Sequence, residues 1–380
     1  MPRAIVSVTN DLTTDQRVDR TCQALLKAGF EVLLVGRRLR NSKVLSDRSY
    51  RMHRFRLLFD KGALFYAEYN IVLFFYLMTH PFNLVVSNDL DTLPANFMAF
   101  RLKRLFGRTG KRSGNFRHLH DCHEYFRGVP ELNGRKLVSA VWKWIEDRIF
   151  PQLQYVVAVN QSVADLYHRE YGNQILAVRN VPTRKSLSVS SDRTKLPLSL
   201  DSRIILYQGA VNVDRGLEEA IAAMKYLKTN AILVIAGIGD EFEALKKLVI
   251  TENLSEKVIF LGQVPFQELH AITLTADLGI SIEKDVSVNY HYCLPNKFLD
   301  YIQANVPVLV SPFPEMKAIV EQYHIGEFID SHHPEKLAAH FDRMLSDEEK
   351  CKTYKANLLI AAEELCWDKE ERKLLKLLNT

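Results

Sequence analysis

Three clusters of side chains in this sequence have the types and spacing to act on a phosphate-bearing ligand. In residues 276–315 a strand-length apolar run, ADLGISI, leads through a loop into Pro295-Asn296-Lys297 and the segment NKFLDYIQAN. Its Phe298, Leu299 and Ile302 fall on one helical face. Pro295 suits a first helical turn, whose N–H groups lack intrahelical partners. After a parallel strand, such free N–H groups form a natural phosphate site, with Asn296 and Lys297 at its mouth. Lys297 in the first turn and Asp300 one turn on put a cation and a carboxylate on one crevice. Second, YQGAVNVDRG (207–216) places Gly209 after a strand and Arg215-Gly216 at a helix start, where a guanidinium can grip phosphate with two parallel hydrogen bonds. Gly237-x-Gly239 repeats the strand-then-glycine pattern, a weaker signal alone. Third, LHDCHEYF (119–126) ends a strand with Asp121, His123 and Glu124, titratable groups where parallel sheets keep their sites.

Other residues admit two readings. Glu283 closes the strand before the Lys297 helix and can reach a ligand. The loop Asn289-Tyr290-His291-Tyr292 offers sugar contacts, or aromatic packing alone. Asp89-x-Asp91 has the form of a carboxylate pair for a hard cation, but the phosphate signals all lie in the other half of the chain. Thr13 or Thr14 is expected to cap the first helix, and His120 to pack within its strand.

The elements that must position these residues alternate regularly. Strands are expected at 4–9, 30–36, 51–59, 83–87, 116–120, 155–159 and 175–180. Helices are expected at 14–28, 62–79, 92–105, 135–149 and 161–171. Residues 183–202, Ser-rich and polar with Pro197, break the pattern as a linker. Alternation resumes through strands at 203–209, 231–237, 257–262, 276–282, 306–311 and 325–330, and helices fill 334–380. Repeated βα units imply parallel, doubly wound sheets with functional loops at the strands' C-terminal ends.

PNKFLDYIQANVPVLVS resembles the P-x-K-x-x-E-Y-x-x-A-x-x-P-V signature of GT-B glycosyltransferases of the family 4 kind, which transfer sugars from nucleotide donors. The resemblance implies two Rossmann-like, doubly wound parallel-sheet domains facing a cleft. The expected bounds are 1–185 for the acceptor-side domain, 186–202 for the linker and 203–365 for the nucleotide-sugar domain, with a helix at 366–380 crossing back. It implies that Asp300, in place of the family's glutamate, holds the ribose hydroxyls. YQGAVNVDRGLEEAI resembles the family's G-R-x-x-x-x-K-G segment, whose two cations grip the diphosphate. Ala210 stands for the first cation and Arg215 for the second, with Lys297 as substitute. FLGQVPFQEL (260–269) resembles the segment whose backbone, here around Val264, meets the base; Gly237 is expected nearby. The family's E-x7-E pattern would put an acid at 292, where this chain has Tyr292, leaving Glu283, Asn289 and Tyr292 as candidates for the sugar. LHDCHEYF resembles Y-D-x-H-E/D, which implies His123 beside the transferred sugar and Glu124 open to the acceptor. SNDLDTLPA resembles a family stretch that shapes the cleft and caps a helix.

Composition fits an ordinary globular chain of 380 residues. Five scattered cysteines, Cys22, Cys122, Cys293, Cys351 and Cys366, argue for reduced thiols in a cytosolic protein. The first residues begin a strand and not a signal peptide, and the apolar window 71–78 is too short to span a bilayer. Charge is asymmetric: residues 1–185 carry +13 and the remainder −8, and RLKRLFGRTGKRSGNFR (101–117) has no acid. Such a patch suits an anionic membrane surface or a phosphorylated substrate. No reader motif or aromatic-interleaved basic repeat points to nucleic acid. The expected function is a metal-independent, retaining transfer from a UDP- or GDP-linked sugar to a glycan or lipid-linked acceptor, without a cofactor. The alternatives are a nucleotide-sugar epimerase on the same fold, or a sugar-nucleotide-binding scaffold that has lost turnover through Ala210 and Tyr292.

Overall fold

β-branched runs of strand length, alternating with helical periodicity, build two parallel sheets in a computed structural model of the chain, which describes residues 1–106, 116–129, 134–188 and 202–379. Most of the expected linker, residues 189–201, and Lys111 of the basic patch lie outside the described residues. The chain divides into two compact units, Met1–Asn180 with Glu370–Thr380, and Val181–Lys369.

In the first unit the order is β1 (Arg3–Ser7), α1 (Gln16–Lys27), β2 (Glu31–Arg38), β3 (Arg51–Arg56), α2 (Gly62–Thr79), β4 (Leu84–Asn88), α3 (Asp89–Phe106), β5 (Arg117–Cys122), α4 (Lys136–Ile149), β6 (Tyr155–Ala158), α5 (Gln161–Tyr171) and β7 (Leu176–Ala177). Among the described residues these strands form one parallel sheet, A, in the order β3-β2-β1-β4-β5-β6-β7. Strand order therefore reverses between β1 and β4, the crevice where open α/β sheets hold ligands. Helix α2 buries the stripe Phe65, Tyr69, Leu73 and Leu77 against this sheet. It is also long and apolar enough, by length and composition, to cross a membrane. Here it serves as the crossover from β3 to β4, which fixes its buried stripe on the sheet.

The second unit continues with β8 (Arg203–Gln208), α6 (Leu217–Ala223), β9 (Ala231–Ala236), α7 (Phe242–Thr251), β10 (Val258–Gly262), α8 (Phe266–Thr273), β11 (Leu278–Ser281), α9 (Val288–His291), α10 (Asn296–Gln303), β12 (Val308–Val310), α11 (Pro314–Tyr323), β13 (Gly326–Phe328), α12 (Pro334–Ser346) and α13 (Glu348–Glu364); α14 (Trp367–Asn379) closes the chain. Its parallel sheet, B, has the order β10-β9-β8-β11-β12-β13, so the reversal falls between β8 and β11. The four-residue α9, inside the loop of tyrosines, has no counterpart in the expected elements.

Helix α10 forms where its amphipathic pattern predicts, with Phe298, Leu299, Tyr301 and Ile302 buried. Pro295 stands one place earlier than expected, as the residue before the helix and not within its first turn; its φ of −64° suits that entry. Tyr301 docks the helix on the sheet. Its hydroxyl lies 2.9 Å from the Leu206 carbonyl and 3.3 Å from that of Ile280, and it accepts from the Gln208 N–H. Gly279 of β11 makes room for the ring: a Cβ there would come 2.5 Å from Tyr301 Cγ. Gly279→Ala should therefore cost about 1–3 kcal/mol through overpacking, read as a lower urea midpoint at unchanged m-value; an unshifted midpoint would show that the contact yields freely.

Candidate functional site

At the C-terminal edge of sheet B, two cations converge on one buried carboxylate. Glu283, just past β11, is wholly buried. Its Oε1 accepts from Lys297 Nζ at 2.5 Å and lies 3.8 Å from Arg215 Nη1. Its Oε2 accepts from Ser281 Oγ at 2.9 Å. Burial alone would discharge the Lys297 ammonium, but Glu283 beside it more than offsets this and lifts its pKa above the ordinary value. Burial would likewise raise the Glu283 carboxyl, and Lys297 brings it below the usual range. Both groups are therefore ionised, and with Arg215 the cluster carries one positive charge in excess. Arg215 Nε is buried with no partner. Glu283, expected at the sugar, is instead buried beneath the two cations, where it fixes the Lys297 ammonium.

Two glycines open the space beside this cluster. A Cβ on Gly237, at φ +155°, would lie 1.8 Å from the Gly209 carbonyl oxygen, so the chain after β9 crosses the chain after β8 at backbone distance. A Cβ built on Gly209, at φ +127°, would have Lys297 Cε as its nearest neighbour, at 3.5 Å. Asn296 and Lys297 form the first turn of α10, and Arg215 precedes the Gly216 that opens α6.

Asp300 faces other partners. Its Oδ1 accepts from Lys185 Nζ at 2.8 Å and its Oδ2 from Gln208 Nε2 at 3.1 Å. Lys297 and Asp300 thus sit one turn apart yet bind different groups. Lys185 Nζ also lies 5.5 Å from the ring centroid of Phe266, which is half exposed. Val264, between β10 and α8, is partly buried against the core beneath sheet B. Lys185 and Phe266 were not among the expected site residues. Lys185 falls in the stretch expected to be linker, and an aromatic at a helix start has no signature.

In the loop of tyrosines, Tyr290 stacks on Arg215. Its ring lies 4.9 Å beneath the Arg215 guanidinium, and its hydroxyl approaches the Val213 carbonyl at 3.5 Å. Tyr292 packs edge-on against His291, and His291 binds Asp285. Asn289 lies in α9, capped by Ser287.

The first unit gathers a second charged cluster, where β1, β4 and β5 end. His123 Nε2 lies 3.1 Å from Asn88 Oδ1 and 3.5 Å from Asp121 Oδ2, and Nδ1 lies 3.5 Å from Asp89 Oδ2. Asp121 is buried and gripped by Arg17 of α1 through Nε at 3.1 Å and Nη2 at 2.5 Å; Arg17 Nη1 binds the Val178 carbonyl. Burial would lower the His123 pKa, but Asp89 and then Asp121 raise it to about 9. Both ring nitrogens already face acceptors, so His123 is a held imidazolium, and a sugar hydroxyl would have to share one of its donors. Glu124 is exposed, and its charge helps to raise the Asp91 carboxyl. Burial, then Asp89, bring Asp91 to about 7.

The capping expectation at α1 fails because the side chain has a better partner, and the Asp89 and Asp91 carboxylates make contacts of their own. Asp89, at φ +56°, accepts from the His123 N–H at 2.8 Å, and Asp91 accepts from Thr9 Oγ1 at 2.5 Å. Both residues stand in the first turn of α3, and their carboxylates tie that turn to the residues after β5 and β1. Helix α1 is capped by Asp15, which accepts from the Val18 N–H, whereas the Thr13 hydroxyl turns to Asp11. His120 packs as expected, edge-on to Phe150.

Two family profiles match this chain: Glycosyltransferase Family 4 over residues 15–180, and Glycosyl transferases group 1 over residues 188–358. An uncharacterized glycosyltransferase of Methanocaldococcus jannaschii, MJ1607, is 29% identical over 287 residues, 67% of this chain and 72% of the relative. Sucrose-phosphate synthase from Thermosynechococcus elongatus superposes with a TM-score of 0.78 at 18% identity, over 100% of this chain and 98% of that one. Anabaena Alr3699/HepE, solved in complex with UDP-glucose, superposes with a TM-score of 0.72 at 13% identity over the whole of both chains.

The His123 cluster makes a direct prediction. A proton bound more tightly in the folded chain stabilises it fully below the unfolded imidazole value of about 6.5, and that stability is lost as pH rises through about 9. The His123 Cε1–H resonance should titrate near pH 9. Asp89→Asn or Asp121→Asn should lower the midpoint by about 1–3 units. A midpoint near neutrality, or one indifferent to both substitutions, would mean that the carboxylates do not hold the charge.

Proposed function

Because this chain is a glycosyltransferase of the group 1 and family 4 kind, with a two-domain Rossmann-like GT-B fold, we propose that its second unit binds the diphosphate of a UDP- or GDP-linked sugar through Lys297 and Arg215. The observation that carries the proposal is the convergence of these two cations on buried Glu283, beside the Gly209–Gly237 crossing. An excess positive charge fixed in a low-dielectric setting stabilises a departing diphosphate without reorganising at the moment of reaction. Asn296 and the start of α10 add backbone donors. Asp300 shares its carboxylate between the ribose hydroxyls and Lys185, with Phe266 and the backbone at Val264 near the base. The nucleotide seen in HepE supports a uridine donor.

The transfer we propose retains configuration. The bond between the anomeric carbon and the β-phosphate oxygen breaks, its electron pair leaving on the diphosphate. The acceptor oxygen bonds to the same face of the carbon, and its proton passes to the departing diphosphate oxygen. Protein cations supply the charge neutralisation, which makes the reaction metal-independent. His123 serves as a fixed positive donor to the sugar and not as a base, and Glu124 stands on the acceptor side. Lys297→Met and Arg215→Gln should each lower kcat/KM by about 10²–10³-fold. In a thermal-shift screen, UDP or GDP and their sugars should raise the Tm of the native chain and shift it less in either variant. The donor assignment falls if no sugar nucleotide raises the Tm.

The acceptor we propose is a glycan or lipid-linked sugar met at an anionic membrane surface. The first unit turns apolar rows outward on three helices packed side by side: Leu64, Ile71 and Phe75 of α2, Met98 and Leu105 of α3, and Leu137, Val141 and Trp144 of α4. Basic residues on the same helices, Arg101, Arg104, Lys136 and Arg148, match a negatively charged interface. Phe75→Glu with Trp144→Glu should abolish flotation with phosphatidylglycerol vesicles. Neutralising Arg101, Lys103, Arg104 and Lys111 should weaken it by several-fold per charge, at about 1 kcal/mol each. Flotation unchanged in both variants would remove the membrane from the reading.

A further inference from the structure

The end of sheet A away from His123 holds a basic cavity that glycosyl transfer does not use. Strand β5 runs from Arg117 to Cys122, about 16 Å at strand rise, so its start lies at the opposite edge from the His123 cluster. There, between α3, the start of β5 and the start of β6, is a cavity of about 60 Å³. Arg101, Arg104, Arg117 and His118 line it, together with the rings of Phe100 and Tyr155. Among the described residues that line it there are three guanidinium groups and no carboxylate. Arg101 donates to Gln152 Oε1 at 2.8 Å, and Arg117 donates to the Leu378 carbonyl and lies over Tyr155. These neutral partners orient Arg101 and Arg117, and among the described residues no carboxylate pairs with the three arginines.

An unpaired donor points the same way. His118 is 4% exposed, and its Nδ1 is buried without a partner. Its Nε2 lies 2.8 Å from Ser87 Oγ, which is 3.0 Å from His120 Nδ1. His120 Nδ1 is also 3.2 Å from the Ser87 carbonyl oxygen, which can only accept, so His120 carries its proton on Nδ1. The Ser87 hydroxyl is then the donor to His118 Nε2. Burial, joined for His118 by the charge of His120, keeps both rings neutral, with pKa values of about 3 and 4. The His118 proton therefore resides on Nδ1. An N–H left unpaired in the interior is costly, and here it belongs to a residue lining a cavity of three arginines.

We propose that this cavity is a binding site for a phosphate-type anion, held by Arg101, Arg104 and Arg117, with the His118 ring in its wall as the reporter of occupancy. A free phosphate ester and the headgroup of an anionic phospholipid share this chemistry. The site is independent of the donor assignment, since it shares no residue with the Lys297 cluster.

The test follows the ¹⁵N-histidine side-chain signals of the full chain, with the donor site saturated by UDP or, should UDP not bind, without it. Titration with inorganic phosphate should shift the His118 Nδ1 signal saturably. Arg104→Gln and Arg117→Gln should each weaken that titration about tenfold, the loss of one charge-assisted contact. Ser87→Ala, which keeps the arginines but frees the His118 tautomer, should weaken it less and broaden the signal. Phosphatidylglycerol vesicles that shift His118 where phosphate does not would assign the site to a lipid headgroup; phosphatidylcholine vesicles should do neither. If neither phosphate nor phosphatidylglycerol moves His118, or if the arginine variants titrate like the parent, the site does not exist.

Discussion

A buried ammonium held by a buried carboxylate is the constraint on which the second unit's chemistry depends. Lys297 and Glu283 lie 2.5 Å apart with almost no solvent access. A pair of this kind gains little stability over a well-packed apolar pair, and removing one partner costs about 3–5 kcal/mol because the other charge is stranded. Its value is positional. The carboxylate keeps the lysine charged where burial would otherwise discharge it, and the lysine charge then lies at the strand end beside Gly209. Arg215, 3.8 Å from the same carboxylate, makes the count of cations exceed that of anions. The excess is what an incoming anion would meet.

The first unit solves a similar problem with opposite bookkeeping. At its switch point the carboxylates Asp89, Asp91 and Asp121 crowd together, and Arg17 and His123 are the cations among them. Crowding is relieved by position and by protons. Asp121 is neutralised by a two-point guanidinium contact and falls below the usual carboxylate range, although burial would raise it. Asp91, whose carboxylate accepts from Thr9, rises to about 7. His123 takes up a proton and holds it. In the second unit the charged groups follow β8 and β11, which flank the reversal of strand order; in the first they gather at the ends of β4 and β5, on one side of it.

Much of this was legible in the sequence, because periodicity and strand-ending glycines are local. The α10 helix announced itself through Phe298, Leu299 and Ile302, and the candidate cations through their places after strands. What was not legible was partner choice. Lys297 and Asp300, one turn apart, read as facing a shared crevice, yet one binds Glu283 and the other Lys185 and Gln208. Nothing local marks Lys185, 115 residues upstream, as the neighbour of Asp300. Likewise Thr13 has the composition of a helix cap, but its hydroxyl turns to Asp11 and Asp15 caps the helix. Asp89 accepts from the His123 amide, beyond a whole helix and strand of chain, which no pattern in its own segment encodes. Tyr290 and Tyr292 differ only in where a four-residue helix turns them, and that helix is too short to show a period.

The departure at Ala210 bears on how the diphosphate would be met. In the pattern this segment resembles, a cation at that place rides on the loop after β8. Here the positive charge comes from α10, a helix docked on the sheet through Tyr301, and one aromatic side chain secures both positions. The ring of Tyr207 lies 4.4 Å from Lys297 Nζ, within cation–π range, while its hydroxyl donates to the Ala210 carbonyl at 2.6 Å. Tyr207 is fully buried at the end of β8. It therefore links the Ala210 loop to the helix that carries Lys297. Moving the charge from a loop to a packed helix trades reach for fixity: a lysine on a loop can follow its ligand, whereas Lys297 is held from below by Glu283 and from the side by Tyr207. A charge held in this way requires the ligand to come to it, which favours a rigid diphosphate placed by its ribose and base over one captured by its phosphates alone.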